Sequence, residues 1–285
     1  MKPMRMLGAV AAAATLISCA AASSPVTQPS AAPSPSQPAS APSASPPTAP
    51  PTTVRPSAEV PTSAPPTVSP SRPTGTLPAW LAGPSVTRLP TNRHVVALTF
   101  DGGSGAQGAT AILHTLRTAG VPATFFLTGQ FVRTYPALTA AILDGGYLIG
   151  NHTMTHPHLT RLSNRAVVEE VTTAEQRLEA AIGDSPRPWF RFPFGEYDPR
   201  TLRVVHSLGY GAIGWTVDTR GWQGHAAGTV NDVVARVKAA LQPGAIVLMH
   251  LGANPDDSTT LDADALAAVI TTVRAAGYTF VALDE

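Results

Sequence analysis

Proline is strongly segregated in this sequence, and the segregation decides which part of it can fold. Of 29 prolines, 17 fall between Ala21 and Trp80, with Ser, Thr and Ala filling most of the gaps. The charges in that stretch are Arg55, Glu59 and Arg72. So few large apolar side chains cannot offset the entropy lost on ordering, and residues 19–78 are expected to stay unfolded. Folding is then confined to residues 79–285, the size of a single α/β domain.

Upstream of the proline-rich stretch, Lys2 and Arg5 precede an uncharged, largely apolar run from Met6 to Ile17. That run is too short to span a bilayer as a mature helix and reads as a targeting segment. Leu16-Ile17-Ser18-Cys19 resembles the lipobox of bacterial lipoproteins, in which cleavage before the cysteine follows lipidation of its sulfur. The alternative is an ordinary signal peptide cut after Ala20-Ala21-Ala22. The resemblance implies a signal peptide over residues 1–18, a lipid on Cys19, and a domain exported to the outer face of the cell membrane. A tether of roughly 55 residues reaches about 170 Å as polyproline II and about 40 Å as a flexible coil. Either length carries the domain towards the cell wall. Cys19 is the sole cysteine, so neither an intramolecular disulfide nor a CxxC metal site can form. A net charge of +1 with no run of Lys or Arg in the folded part excludes a nucleic-acid partner.

From His94 onward, short apolar runs alternate with amphipathic helical patterns. The strand candidates are Val95–Phe100, Ala123–Thr128, Tyr147–Gly150, Trp189–Phe192, Tyr210–Thr216, Ile246–His250 and Tyr278–Leu283. Helical faces are carried by Ile112, Leu113 and Leu116, closed by Gly120; by Val167, Val171, Leu178 and Ile182; by Val230, Val233, Val234 and Val237; and by Leu266, Ile270 and Val273. Asp198-Pro199 opens a further helix, with Asp at the cap and Pro in the first turn. This alternation predicts an α/β fold, an irregular seven-stranded (β/α) barrel. Such barrels carry their chemistry at the C-terminal ends of the strands. Asp101, the pair His152 and His156, Arg191, Asp218 and His250 all fall at those ends.

Each motif has a chemical and a plain reading. His152 and His156 are four apart, which on a helical turn puts both imidazoles on one side, able to bind one divalent metal; alone, such a pair is more often two surface histidines. Asp101-Gly102-Gly103 places a carboxylate at a strand mouth beside glycines that permit close approach, or is a plain Asp-Gly turn. Arg191 sits within Trp189-Phe190-Arg191-Phe192-Pro193-Phe194-Gly195 and needs a carboxylate partner, Asp101 or Asp218, unless it reaches solvent. His250 ends an apolar strand and is either functional or a backbone-bonded core histidine.

Taken in order from Thr99 to His250, these segments resemble the NodB-type polysaccharide deacetylases, carbohydrate esterase family 4, across essentially the whole folded domain. The resemblance implies that Asp101 is the general base toward the attacking water and that Arg191 orients it. His152 and His156 would ligate a divalent metal, zinc or else cobalt, manganese or nickel. His250 would protonate the leaving amine, the backbone N–H at Phe194 would help hold the oxyanion, and Leu248 and Trp222 would line the substrate pocket. Two positions depart from the family pattern: Gly102 stands where the family has an Asp that is the third metal ligand, and Gly221 where it has the acid that helps set the charge on the acidic histidine. Asp218 would then be the only strand-end carboxylate left to pair with Arg191 or His250. The implied activity is metal-dependent removal of N-acetyl groups from a cell-wall polysaccharide, peptidoglycan foremost, by a monomer. Deacetylation of chitin or acetylated xylan, and a weakened barrel that only binds glycan, are the alternatives.

Overall fold

A computed structural model describes residues 77–103 and 105–284, all within one compact unit of the chain, Val68–Glu285. The expected targeting segment, Cys19 and the expected tether through residue 76 lie outside the described residues.

The sheet is parallel throughout. Its strands are β1 (Val95–Gly102), β2 (Ala123–Leu127), β3 (Leu148–Asn151), β4 (Trp189–Phe190), β5 (Gly211–Ala212), β6 (Val217–Asp218), β7 (Ala245–His250) and β8 (Thr279–Phe280). Seven follow the order β5-β4-β3-β2-β1-β7-β6, and β8 pairs with the start of β1. Side chains alternate between two apolar clusters, as a strand period of two requires. Leu98 and Phe100 face outward with Ile112 and Leu116, while Ala97 faces inward with Phe126 and Ile246. Asp101, two residues beyond Thr99 on that inner face, reaches the barrel mouth.

The sheet does not close strand to strand. Residues 86–89 bridge its margins: Val86 N–H donates to the Ala212 carbonyl at 2.8 Å, and Leu89 N–H to the Gly244 carbonyl at 2.8 Å. The fold is therefore the expected irregular barrel, with one difference. Of Tyr210–Thr216, expected as one strand, only β5 forms; β6 follows directly after it, an eighth strand on the opposite margin of the sheet. The chain crosses the mouth between them, and its carbonyls at Ile213 and Gly214 bond to a side chain, not to a neighbouring strand.

Five helices form where the apolar spacing places them: α1 (Ala109–Ala119), α4 (Asn164–Ile182), α5 (Pro199–Ser207), α6 (Val230–Ala239) and α7 (Leu261–Ala275). Gly120 ends α1 in the left-handed conformation, φ 59°, and Asp198 caps α5 in a box with Thr201. Two further helices, α2 (Gly129–Thr134) and α3 (Pro136–Asp144), have no counterpart in the sequence reading. The first is six residues long, starts on glycine and ends at a non-helical Tyr135, so its periodicity is too short to read; it forms because Thr128 caps it, accepting from Phe131 N–H at 3.0 Å.

Leu81 is fully buried and packs against the bare backbone of Gly211. Leu81→Ala should cost about 2–5 kcal/mol in urea unfolding. A loss under about 1 kcal/mol would mean that residues ahead of β1 are not part of the core.

Candidate active site

Parallel pairing brings distant residues to one end of the sheet. Asp101 and His250 are register partners on β1 and β7. His152 follows β3, Arg191 follows β4, and Asp218 ends β6. Leu248 lies two residues before His250 on the same, inward face of β7, and it is buried.

Arg191 is fully buried. Its Nη1 donates to Asp101 Oδ1 at 2.7 Å, Nε to the Ile213 carbonyl at 3.2 Å, and Nη2 to the Gly214 carbonyl at 3.1 Å. The guanidinium also lies 4.2 Å over the Phe126 ring. The partner is thus Asp101 and not Asp218, which accepts instead from Arg220 N–H at 2.7 Å and Trp222 Nε1 at 3.3 Å. Burial alone would raise the Asp101 carboxyl; Arg191, His152 and His250 together outweigh it and hold the group below the ordinary carboxylate range.

The histidine pair is not helical. Thr153 and His156 adopt left-handed φ values of 68° and 63°, and the loop between them returns the second ring to within 4.7 Å of the first. His152 Nδ1 lies 2.9 Å from the Arg191 carbonyl, which can only accept, so Nδ1 carries the proton and Nε2 keeps its lone pair. That nitrogen faces Asp101 Oδ2 at 3.5 Å. Burial depresses both imidazoles, His156 to about 4, so both are neutral at neutral pH.

His250 differs. Burial pushes it down, but Asp262, then Asp101 and Asp218, outweigh burial and raise it. Asp262, in the first turn of α7, is buried; its Oδ2 accepts from His250 N–H at 2.8 Å and lies 3.4 Å from His250 Nδ1. The sequence reading missed Asp262, because an acid in a first helical turn is ordinary and nothing local ties it to a histidine twelve residues earlier. Around the rim, Phe194 is 52 % exposed and stacks on His158 at 4.0 Å, while Trp222 is 47 % exposed with its ring 6.3 Å from His250. Both residues are therefore exposed at the rim.

The donors fit a divalent ion in part. Two neutral imidazoles, with a lone pair facing a carboxylate oxygen, favour positive charge at that point. Residue 102 does not supply the third protein ligand usual for catalytic zinc. A Cβ on Gly102 would meet Leu127 Cδ2 at 2.7 Å, Leu251 Cδ1 at 3.1 Å and Phe131 Cδ2 at 3.2 Å, an apolar wall. Among the described residues, no three His, Cys, Asp or Glu side chains are grouped to hold an ion.

A curled parallel βα sheet with acid, base and imidazoles gathered at its strand ends defines a barrel hydrolase. The particular family follows from comparison. Residues 88–213 match the polysaccharide deacetylase family model. A chitooligosaccharide deacetylase of Bradyrhizobium is 36% identical over 196 residues, covering 67% of this chain and 84% of that protein. A peptidoglycan-N-acetylglucosamine deacetylase of Bacillus cereus is 31% identical, covering 68% of each. Among solved structures, a family 4 carbohydrate esterase pseudoenzyme from Bacillus anthracis superposes with a TM-score of 0.62 at 31% identity, covering 69% of this chain and 66% of that one; a mutant of it has restored enzymatic activity. The chain belongs to the polysaccharide deacetylase family, hydrolases that act on carbon–nitrogen bonds of acetylated glycans.

Arg191→Ala leaves a buried carboxylate unpaired and should cost about 3–5 kcal/mol in urea unfolding at neutral pH. In the wild type, the depressed Asp101 contributes stability above its unfolded pKa and loses it as pH falls through the lower folded value. In the variant, burial raises Asp101, so the deficit should shrink as pH is lowered and the group protonates. A deficit independent of pH would show that the ion pair is not its source.

Proposed function

We propose that this protein removes N-acetyl groups from a cell-wall polysaccharide, peptidoglycan in the first instance, and that it does so with a divalent metal held by His152 and His156. The observation that carries the reading is the Asp101–Arg191 pair facing His152, with His250 on the adjacent strand. The chitooligosaccharide and peptidoglycan deacetylases among its relatives support a glycan amide as substrate.

The reaction adds water across an amide. When bound, the ion supplies polarisation of the acetyl carbonyl and acidifies water, which amides require. Asp101, ionised and held at Oδ1 by Arg191, keeps Oδ2 to take the proton from the attacking water. His250, biased towards its protonated form, donates to the sugar nitrogen as the carbon–nitrogen bond breaks, releasing acetate and a free amine. Phe194 lies beside His156, where its backbone N–H serves the developing oxyanion, and buried Leu248 takes the acetyl methyl. Exposed Trp222 offers a flat face to a sugar ring, and Phe194, stacked on His158, adds an exposed aromatic edge to the rim. Export and a lipid on Cys19, read from the N-terminus, would hold this monomeric domain beside the wall.

One observation favours a second reading. The apolar wall at Gly102 leaves two histidine ligands, and a related solved structure is a pseudoenzyme, so binding glycan without turnover is the alternative. Acetate release from purified peptidoglycan, with chitin oligomers in parallel, separates the two. We expect release from peptidoglycan, falling about 10²–10⁴-fold in Asp101→Asn. No acetate from any polymer, with glycan still retained, would favour the binder.

Chelator treatment should bring activity to background, and added zinc or cobalt should restore it. The concentration needed should be higher than for a three-ligand site, and His156→Ala should abolish the recovery. Full activity in chelator would remove the metal from the account.

A further inference from the structure

Gly221 is a position where a side chain would collide with another residue's functional group. A Cβ built there lies 2.7 Å from Asp262 Oδ2 and closer still to that carboxylate's other atoms. A side chain at residue 221 and the carboxylate of Asp262 therefore compete for one volume. Asp262 fills it from a different element, the first turn of α7, and is clamped there. Thr219 Oγ1 donates to its Oδ1 at 2.6 Å and His250 N–H to its Oδ2 at 2.8 Å. Arg236 Nη1 holds the Thr219 carbonyl at 2.7 Å, which fixes the loop that carries the clamp. The ring nitrogen of His250 that faces this carboxylate, Nδ1, is buried and has no hydrogen-bond partner among the described residues; Asp262 Oδ2, at 3.4 Å, is its ion-pair neighbour.

We propose that Asp262 is the positioning residue for His250, and that it takes over from helix α7 the place that a side chain at residue 221 would otherwise occupy. The loss of an acid at Gly221 is then a relocation and not a defect. The carboxylate orients the His250 ring through Nδ1 and leaves Nε2 to serve substrate. Asp218, which the sequence left as the only strand-end candidate, is committed to Arg220 and Trp222 and holds the rim. The kinetic part of this inference rests on the deacetylase reading; the structural part does not.

The test uses Asp262→Asn and the exchange variant Gly221→Asp/Asp262→Gly. In Asp262→Asn, kcat for acetate release should fall about 10- to 100-fold, part of what acid catalysis supplies, with KM little changed. The alkaline limb of the pH–rate profile should move to lower pH, and the exchange variant should move it back. Independently of turnover, an NMR titration of His250, assigned with His250→Gln, should show its midpoint shifted down in Asp262→Asn and recovered in the exchange variant. An unmoved midpoint in Asp262→Asn overturns the proposal even if the enzyme is active. If the wild type releases no acetate, the deacetylase reading fails while the titration still decides the Asp262–His250 coupling. Should Asp262→Asn not fold, the exchange variant decides: a His250 midpoint at the wild-type level supports relocation, and a lower one refutes it.

Discussion

One buried guanidinium holds the mouth of this barrel together. Arg191 follows β4, yet it bonds a carboxylate on β1 and two carbonyls in the segment that crosses between β5 and β6. A charge buried this completely is tolerable only if its donors are satisfied, and three bonds plus the face of Phe126 do that. The same contacts fix the chemistry. Asp101 is held at one oxygen and turns the other towards His152, and the Arg191 carbonyl sets the tautomer of His152. Backbone support and catalytic geometry are thus one network.

The site divides into two electrostatic halves. On one side, burial leaves His152 and His156 neutral, the state in which an imidazole can donate a lone pair to an ion. On the other, a carboxylate reaches His250 from α7 and biases it towards the charged form that can give up a proton. Opposite environments thus push chemically identical rings towards opposite charge states at a single pH. The departures at Gly102 and Gly221 fall one in each half, and the structure treats them differently. Leucines and a phenylalanine close off the first position, whereas a carboxylate from elsewhere fills the second.

Much of this was readable in the chain. The alternation of strand and helix patterns gives the parallel barrel, because a strand period of two and a helix period near four are local properties of side-chain direction. The gathering of Asp101, His152, Arg191 and His250 followed from strand ends alone, since parallel strands point their C-termini the same way. Short elements escaped: α2 spans six residues and β6 two, too few for any period. The four-residue spacing of the histidine pair predicts a helical turn, but the spacing is met by a loop with two left-handed residues.

The class of fold, the end of the sheet where chemistry gathers and the residue types available there are all legible in the chain, because they depend on patterns a few residues long. Which carboxylate serves which cation emerges only when the chain is folded. Asp101 and not Asp218 took Arg191, and Asp262 took His250. The reason is that ion pairing depends on which side chains share a volume, and Asp101 and Arg191, which meet at the barrel mouth, are ninety residues apart in the chain.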